Sequence, residues 1–145
     1  MKRVFSFFLL ATVCCIMAKA DWIECTRSDE TIFYVNDNIT QDNYGYYYTW
    51  IKYETIPSAL AAKRQDMYNT FGDNRYFNYT HMLVYEKFDL NRNRTQTLSI
   101  THYASGSSIK TFNYDDDEWN YILPDSMGEE IMKVIKRLVA SKRFR

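Results

Sequence analysis

The chain has 145 residues, with 18 basic and 18 acidic side chains, and is 46% hydrophobic and 17% aromatic. That is the composition of a folded domain, not of a disordered tail. Setting aside the first twenty residues, which carry Lys2, Arg3 and Lys19 and no acid, leaves 15 basic against 18 acidic residues. The resulting negative balance excludes a strongly basic nucleic-acid binder.

Those twenty residues read as an export signal. Lys2 and Arg3 give a positive start, Val4 to Ala18 is apolar apart from Ser6 and Thr12, and Ala18-Lys19-Ala20 has the small-x-small form of a cleavage site. As a helix the apolar run would reach about 22 Å, short of the roughly 30 Å of a bilayer core, so no membrane span is expected after cleavage. Lipidation at Cys14 or Cys15 is the competing reading, but neither cysteine follows the small residue that lipoprotein processing prefers. Cleavage before Asp21 leaves Cys25 as the sole cysteine, so the mature chain is expected to fold without an internal disulfide.

In the mature chain, Trp22–Cys25 and Thr31–Val35 are β-prone runs that predict an opening hairpin across Arg27-Ser28-Asp29-Glu30. The Asn- and Asp-rich stretch 36–43 predicts a loop. Tyr44 to Glu54, YGYYYTWIKYE, predicts a strand, since aromatic and β-branched side chains suit a pleated surface. Pro57 ends it, and Ser58 to Met67 predicts a short helix capped by Ser58. Tyr76–Asp89, Thr95–Tyr103 and Ile109–Tyr114 follow as strands separated by polar turns, an antiparallel meander.

The end of the chain changes period. Ser126-Met127-Gly128-Glu129 is a capping box, and Ile131, Val134, Ile135, Leu138 and Val139 recur at spacings of three and four. The expectation is an α+β domain over residues 21–145: a small antiparallel sheet of five to seven strands, a C-terminal helix to about Val139, and a short basic tail.

Chemistry-bearing patterns are sparse. His81 and His102 form no ligand pair, and His102 sits in an alternating strand, where a packed or hydrogen-bonded role is expected. Ser105-Gly106-Ser107 lies between strands, outside the strand–turn–helix setting of a nucleophile elbow. The run Asp115-Asp116-Asp117-Glu118 lacks calcium-loop spacing and reads as a solvated turn. No catalytic residue, metal or cofactor is assigned.

Tyrosine is the anomaly: four of the thirteen occupy Tyr44, Tyr46, Tyr47 and Tyr48. Strand alternation puts Tyr46 and Tyr48 on one face and Tyr47 on the other, and one of these faces must be core. The outward rings are candidate binding residues, because tyrosine offers contact area and a hydroxyl at low entropic cost. Lys142, Arg143 and Arg145 join them as a basic tip beyond the helix.

Taken together, Thr31-Ile32-Phe33-Tyr34-Val35-Asn36, Tyr47-Tyr48-Thr49-Trp50-Ile51-Lys52, Tyr85-Glu86-Lys87-Phe88-Asp89-Leu90, Leu98-Ser99-Ile100-Thr101-His102-Tyr103 and the closing Trp119-Asn120-Tyr121-Ile122-Leu123-Pro124-Asp125-Ser126-Met127-Gly128-Glu129 resemble the surface-adhesin protein E-like domain of exported bacterial proteins. The resemblance implies a sheet packed with a terminal helix, displayed in the periplasm or at the outer surface, with host extracellular-matrix or envelope proteins as partners. Members often carry one cysteine near the position of Phe88 and another in the last helix, whereas this mature chain has only Cys25. The functional expectation is a non-catalytic, adhesin-like binding module. A periplasmic enzyme or enzyme inhibitor, and a purely structural envelope protein, are the alternatives.

Overall fold

The computed structural model describes residues 20–115 and 117–142. The expected export signal with Cys14 and Cys15, and the tail residues Arg143 and Arg145, lie outside the described residues. The described residues form an antiparallel sheet of eight strands and two α-helices, the α+β arrangement expected. Six strands make the main path in the order β1-β2-β4-β5-β6-β7: β1 Trp22–Arg27, β2 Thr31–Asn36, β4 Tyr47–Thr55, β5 Tyr79–Asp89, β6 Arg94–Ala104 and β7 Ser107–Asn113. The count exceeds the expected five to seven because two short strands pair off this path, β3 Thr40–Gln41 on β4 and β8 Asn120–Tyr121 on β6. Two-residue pairings leave no periodic signal in a sequence.

Helix α1 spans Pro57–Phe71. Its cap is Ile56, not Ser58, and makes no side-chain bond. Pro57 in the first turn explains this: its fixed φ suits a helix start and it has no N–H to satisfy. Gly72 ends the helix at φ 68°, a left-handed conformation open to glycine, and its N–H donates to the Tyr68 carbonyl. A 3-10 helix over Asn74–Asn78 takes up the residues expected to begin β5. Helix α2 spans Met127–Lys142, three residues beyond the expected end, so Lys142 is its last residue. Its start is a capping box with a shifted partner: the Glu129 N–H donates to Ser126 Oγ at 3.2 Å, and Glu129 Oε2 accepts from the Asp125 N–H at 3.0 Å.

Both helices lie on one face of the sheet. Helix α2 sets Ile131, Met132, Val134, Ile135 and Val139 against Phe33, Val35, Tyr47, Ile51 and Phe88. Helix α1 and the 3-10 turn form a smaller cluster of Met67, Tyr76, Tyr79 and Ile109. The strand register joins the two clusters on one side: His102 opposite Met82, Met82 opposite Tyr53, Tyr53 opposite Phe33. A buried aliphatic side chain is worth about 1.5–3 kcal/mol over an exposed one, so the α2 contact dominates the stability of the sheet.

Candidate functional site

Alternation along β4 sends every second residue away from the helices. Tyr48, Trp50 and Lys52 therefore share the uncovered face, and the register places Lys87, Tyr85 and Leu83 beside them on β5. Tyr34 on β2 stands opposite Lys52, and Trp22 on β1 lies a diagonal step away.

The rings on this face touch. Trp50 and Tyr85 are 4.8 Å apart between centroids, and Tyr48 and Tyr85 are 6.3 Å apart. Tyr46, just ahead of β4, meets Trp119 at 5.3 Å, so the segment before β8 lays an indole on the same surface. Cations are threaded between them. Lys52 Nζ stands 4.2 Å from the Tyr34 ring and 5.6 Å from Trp22; Lys87 lies over Tyr46 and Trp119; Arg94 lies 4.3 Å from Trp119. Each such contact is worth about 0.5–1 kcal/mol at an exposed site. Arg94 also bonds the buried Asp89 carboxylate at 2.9 Å, and Lys52 pairs with Glu54 at 2.7 Å. The rings are half-buried by one another, and the charges on this face are largely balanced.

The structure divides the residues singled out by sequence. Tyr46 and Tyr48 lie on the aromatic face, where the Tyr48 hydroxyl donates to Asp42 at 2.7 Å. That bond and burial push the Tyr48 phenol up to about 12, so it stays neutral and available as an acceptor. Tyr44 is 87% exposed in the turn before β4, where Gly45 at φ 87° reverses the chain. Strand β4 thus starts at Tyr47 and not at Tyr44 as expected. Tyr47 is only 7% exposed and belongs to the core opposite Phe88. Lys142 lies across the sheet from the aromatic face, with Nζ donating to the Asp37 carbonyl, and shares a cleft with Tyr47.

Sequence reading missed Trp22, Tyr34, Trp50, Tyr85, Trp119 and the lysines between them. The signal for half of this surface was present: Tyr46, Tyr48, Trp50 and Lys52 recur at a period of two. Its other half comes from β2, β5 and Trp119 and needed the register.

The titratable groups on the helix side have structural roles. His102 is buried, and its Nδ1 shares a 2.8 Å hydrogen bond with the Tyr76 hydroxyl inside a cage of Phe71, Tyr79 and Phe112. Burial, with Lys63 and Lys110 nearby, pulls its pKa down to about 4. His81 is on the other, uncovered face opposite Glu54, where it stacks flat on Tyr103 and shares a hydrogen bond with the Thr80 hydroxyl. Glu86 is 9% exposed and accepts from the Thr95 and Thr97 hydroxyls at 3.3 and 3.4 Å, and burial pushes it up to about 7. Among the described residues no three of His, Cys, Asp and Glu gather as an ion site, and no helix is long and apolar enough to cross a membrane.

Comparison with protein-family models, with curated proteins and with solved structures finds no match to this chain.

Proposed function

We propose that this chain is an exported bacterial envelope protein that works as a non-catalytic, adhesin-like binding module, with the uncovered sheet face as its recognition surface. The observation that carries this reading is the stripe of seven rings, Trp119, Tyr46, Tyr48, Tyr85, Trp50, Tyr34 and Trp22, interleaved with Lys52, Lys87 and Arg94 and, among the described residues, bearing no helix. Tyrosine, tryptophan and arginine are the residues that dominate protein interfaces, since each buries a large area and keeps a polar handle. On this surface the rings are already held by their neighbours, so a partner would lose little conformational entropy in ordering them. The two histidines, each bonded to a neighbouring hydroxyl and packed on rings, support binding over catalysis as the reading. The likeness to the surface-adhesin E-like family supports export and a host extracellular-matrix or envelope partner.

The test is solid-phase binding of the mature chain to immobilised extracellular-matrix glycoproteins and, separately, to outer-membrane extract. Trp50→Ala with Tyr85→Ala should weaken retention on one of these at least tenfold while cooperative melting persists. Equal retention of the folded variant and the parent would overturn the reading.

A further inference from the structure

At one end of the aromatic face two rings converge on a single ammonium. Lys87 on β5 stands opposite Tyr48 on β4 and Gln96 on β6. Its Nζ lies 4.5 Å from the Tyr46 ring and 5.1 Å from the Trp119 ring, and the two rings are 5.3 Å apart. Arg94 lies on the same indole at 4.3 Å. Tyr121 is opposite Arg94 in the ladder of β8 with β6, so its ring leaves the sheet on the same side, and it is 68% exposed.

The three cations of this face are not equivalent. Lys52 is paired with Glu54 at 2.7 Å and Arg94 with Asp89 at 2.9 Å, the second pair almost closed to solvent. Among the described residues the Lys87 ammonium has neither a carboxylate at ion-pair distance nor a hydrogen-bond acceptor. Asp42 lies within electrostatic range of it, but the Asp42 oxygens accept the Tyr44 and Tyr46 N–H groups and the Tyr48 hydroxyl. Ring faces attract an ammonium by their quadrupole and leave its three donors unused, so Lys87 can still bond a carboxylate arriving from outside.

We propose that Lys87 anchors the partner of this face, and that the partner is a protein segment carrying one aspartate or glutamate beside apolar side chains: the carboxylate meets the Lys87 ammonium and an apolar neighbour lies on the Tyr121 ring. This rests on the uncovered sheet face being the recognition surface. Other ligand classes fit the face less well. A polyanion needs a run of uncompensated cations, whereas one of the three here is uncompensated, and the exposed Asp115, Asp117 and Glu118 just ahead of Trp119 repel it. A neutral glycan stacks on open ring faces. Here Trp50 and Tyr48 lie against Tyr85 at 4.8 and 6.3 Å with planes 34° and 33° apart, and the three cations cover Tyr34, Tyr46 and Trp119.

The probe is a random-peptide display library panned on the immobilised mature chain, with Lys87→Gln as counter-selection. Selected peptides should be enriched in Asp or Glu next to Trp, Phe or Leu. Replacing that acid by its amide in the peptide, and Lys87→Gln in the chain, should each weaken binding at least tenfold and together no more than either alone, as for two groups of one contact. Tyr121→Ala should weaken it severalfold and Lys87→Arg should retain most of it, all three chain variants still melting cooperatively. Peptides that lose binding to Trp50→Ala with Tyr85→Ala, but not to Lys87→Gln, would keep the face as recognition surface and overturn the Lys87 anchor. Peptides indifferent to both would overturn the reading of the face as well. The anchor is also overturned if no peptide is selected, if the selected peptides lack an acid, or if heparin at physiological salt binds as tightly as they do, which would make the partner a polyanion.

Discussion

The two faces of this sheet are built from the same strands, one residue out of step, yet they follow different physics. On the helix side Val35, Ile51, Phe88 and Ile135 are 0–1% exposed, and their stabilisation comes from removal of apolar surface from water. On the other side Tyr34, Trp50, Lys52 and Tyr85 are half-buried among neighbouring rings and charged groups, and contacts between rings and cations replace a second layer. The difference teaches that a small sheet does not need both faces sealed. One face can carry the folding free energy while the other bears no second layer among the described residues.

The strongest way to break that contrast is to remove the covering layer. A chain ending before Ser126 exposes Phe33, Val35, Ile51 and Phe88 together and loses the partners of the main core. Loss of cooperative thermal melting is the expected outcome, read by circular dichroism; a retained sharp transition would show that the sheet holds itself.

A sharper probe is Glu86, a carboxylic acid on the sealed face. Its pKa of about 7 lies above the ordinary 4.5, so the folded chain binds the extra proton; that contribution is complete below pH 4.5 and lost as pH rises through 7. Glu86→Gln keeps the shape without the charge. It should raise stability by at most about 3 kcal/mol at pH 8, following about 1.4 kcal/mol per pKa unit, and change it little at pH 4. His102 works in the opposite sense: its pKa is depressed from 6.5 to about 4, so its contribution is present above 6.5 and lost as pH falls through 4. Urea denaturation from pH 4 to pH 8 should therefore show the two titrations offsetting each other below 6.5 in the parent chain. In Glu86→Gln only the histidine-driven loss towards acid should remain.

The smallest effect belongs to the open face. Lys52→Ala removes the cation over Tyr34 and the pair with Glu54, both at a partly hydrated site, and should cost less than about 1 kcal/mol. A cost comparable to that of an aliphatic core truncation, about 2–5 kcal/mol, would mean that the ring-and-cation layer is itself a core.

What could be read without coordinates follows the same division. The α2 face was legible because Ile131, Val134, Ile135 and Val139 repeat at the helical period, and the hairpin and meander because polar turns separate β-prone runs. The β4 start was misplaced because tyrosine favours strands whether or not Gly45 allows one to begin, and the 3-10 turn was missed because NRYFN is rich in strand-forming rings. The aromatic face was legible only along one strand: Tyr46 and Tyr48 were found, whereas Tyr85 and Lys87 became their neighbours through pairing between residues nearly forty positions apart. Glu86 gave no signal, since a glutamate in YEKFD reads as solvent-facing until the register turns it inward.

The outermost strands have a further consequence for life at high local concentration. The ladder of β1 with β2 slips between Glu24 and Thr26, at Cys25, and that of β6 with β7 slips between His102 and Tyr103, so both borders of the sheet are kinked. Irregular borders are poor templates for an incoming polypeptide backbone. Copies crowded together should therefore resist stacking edge to edge into fibrils.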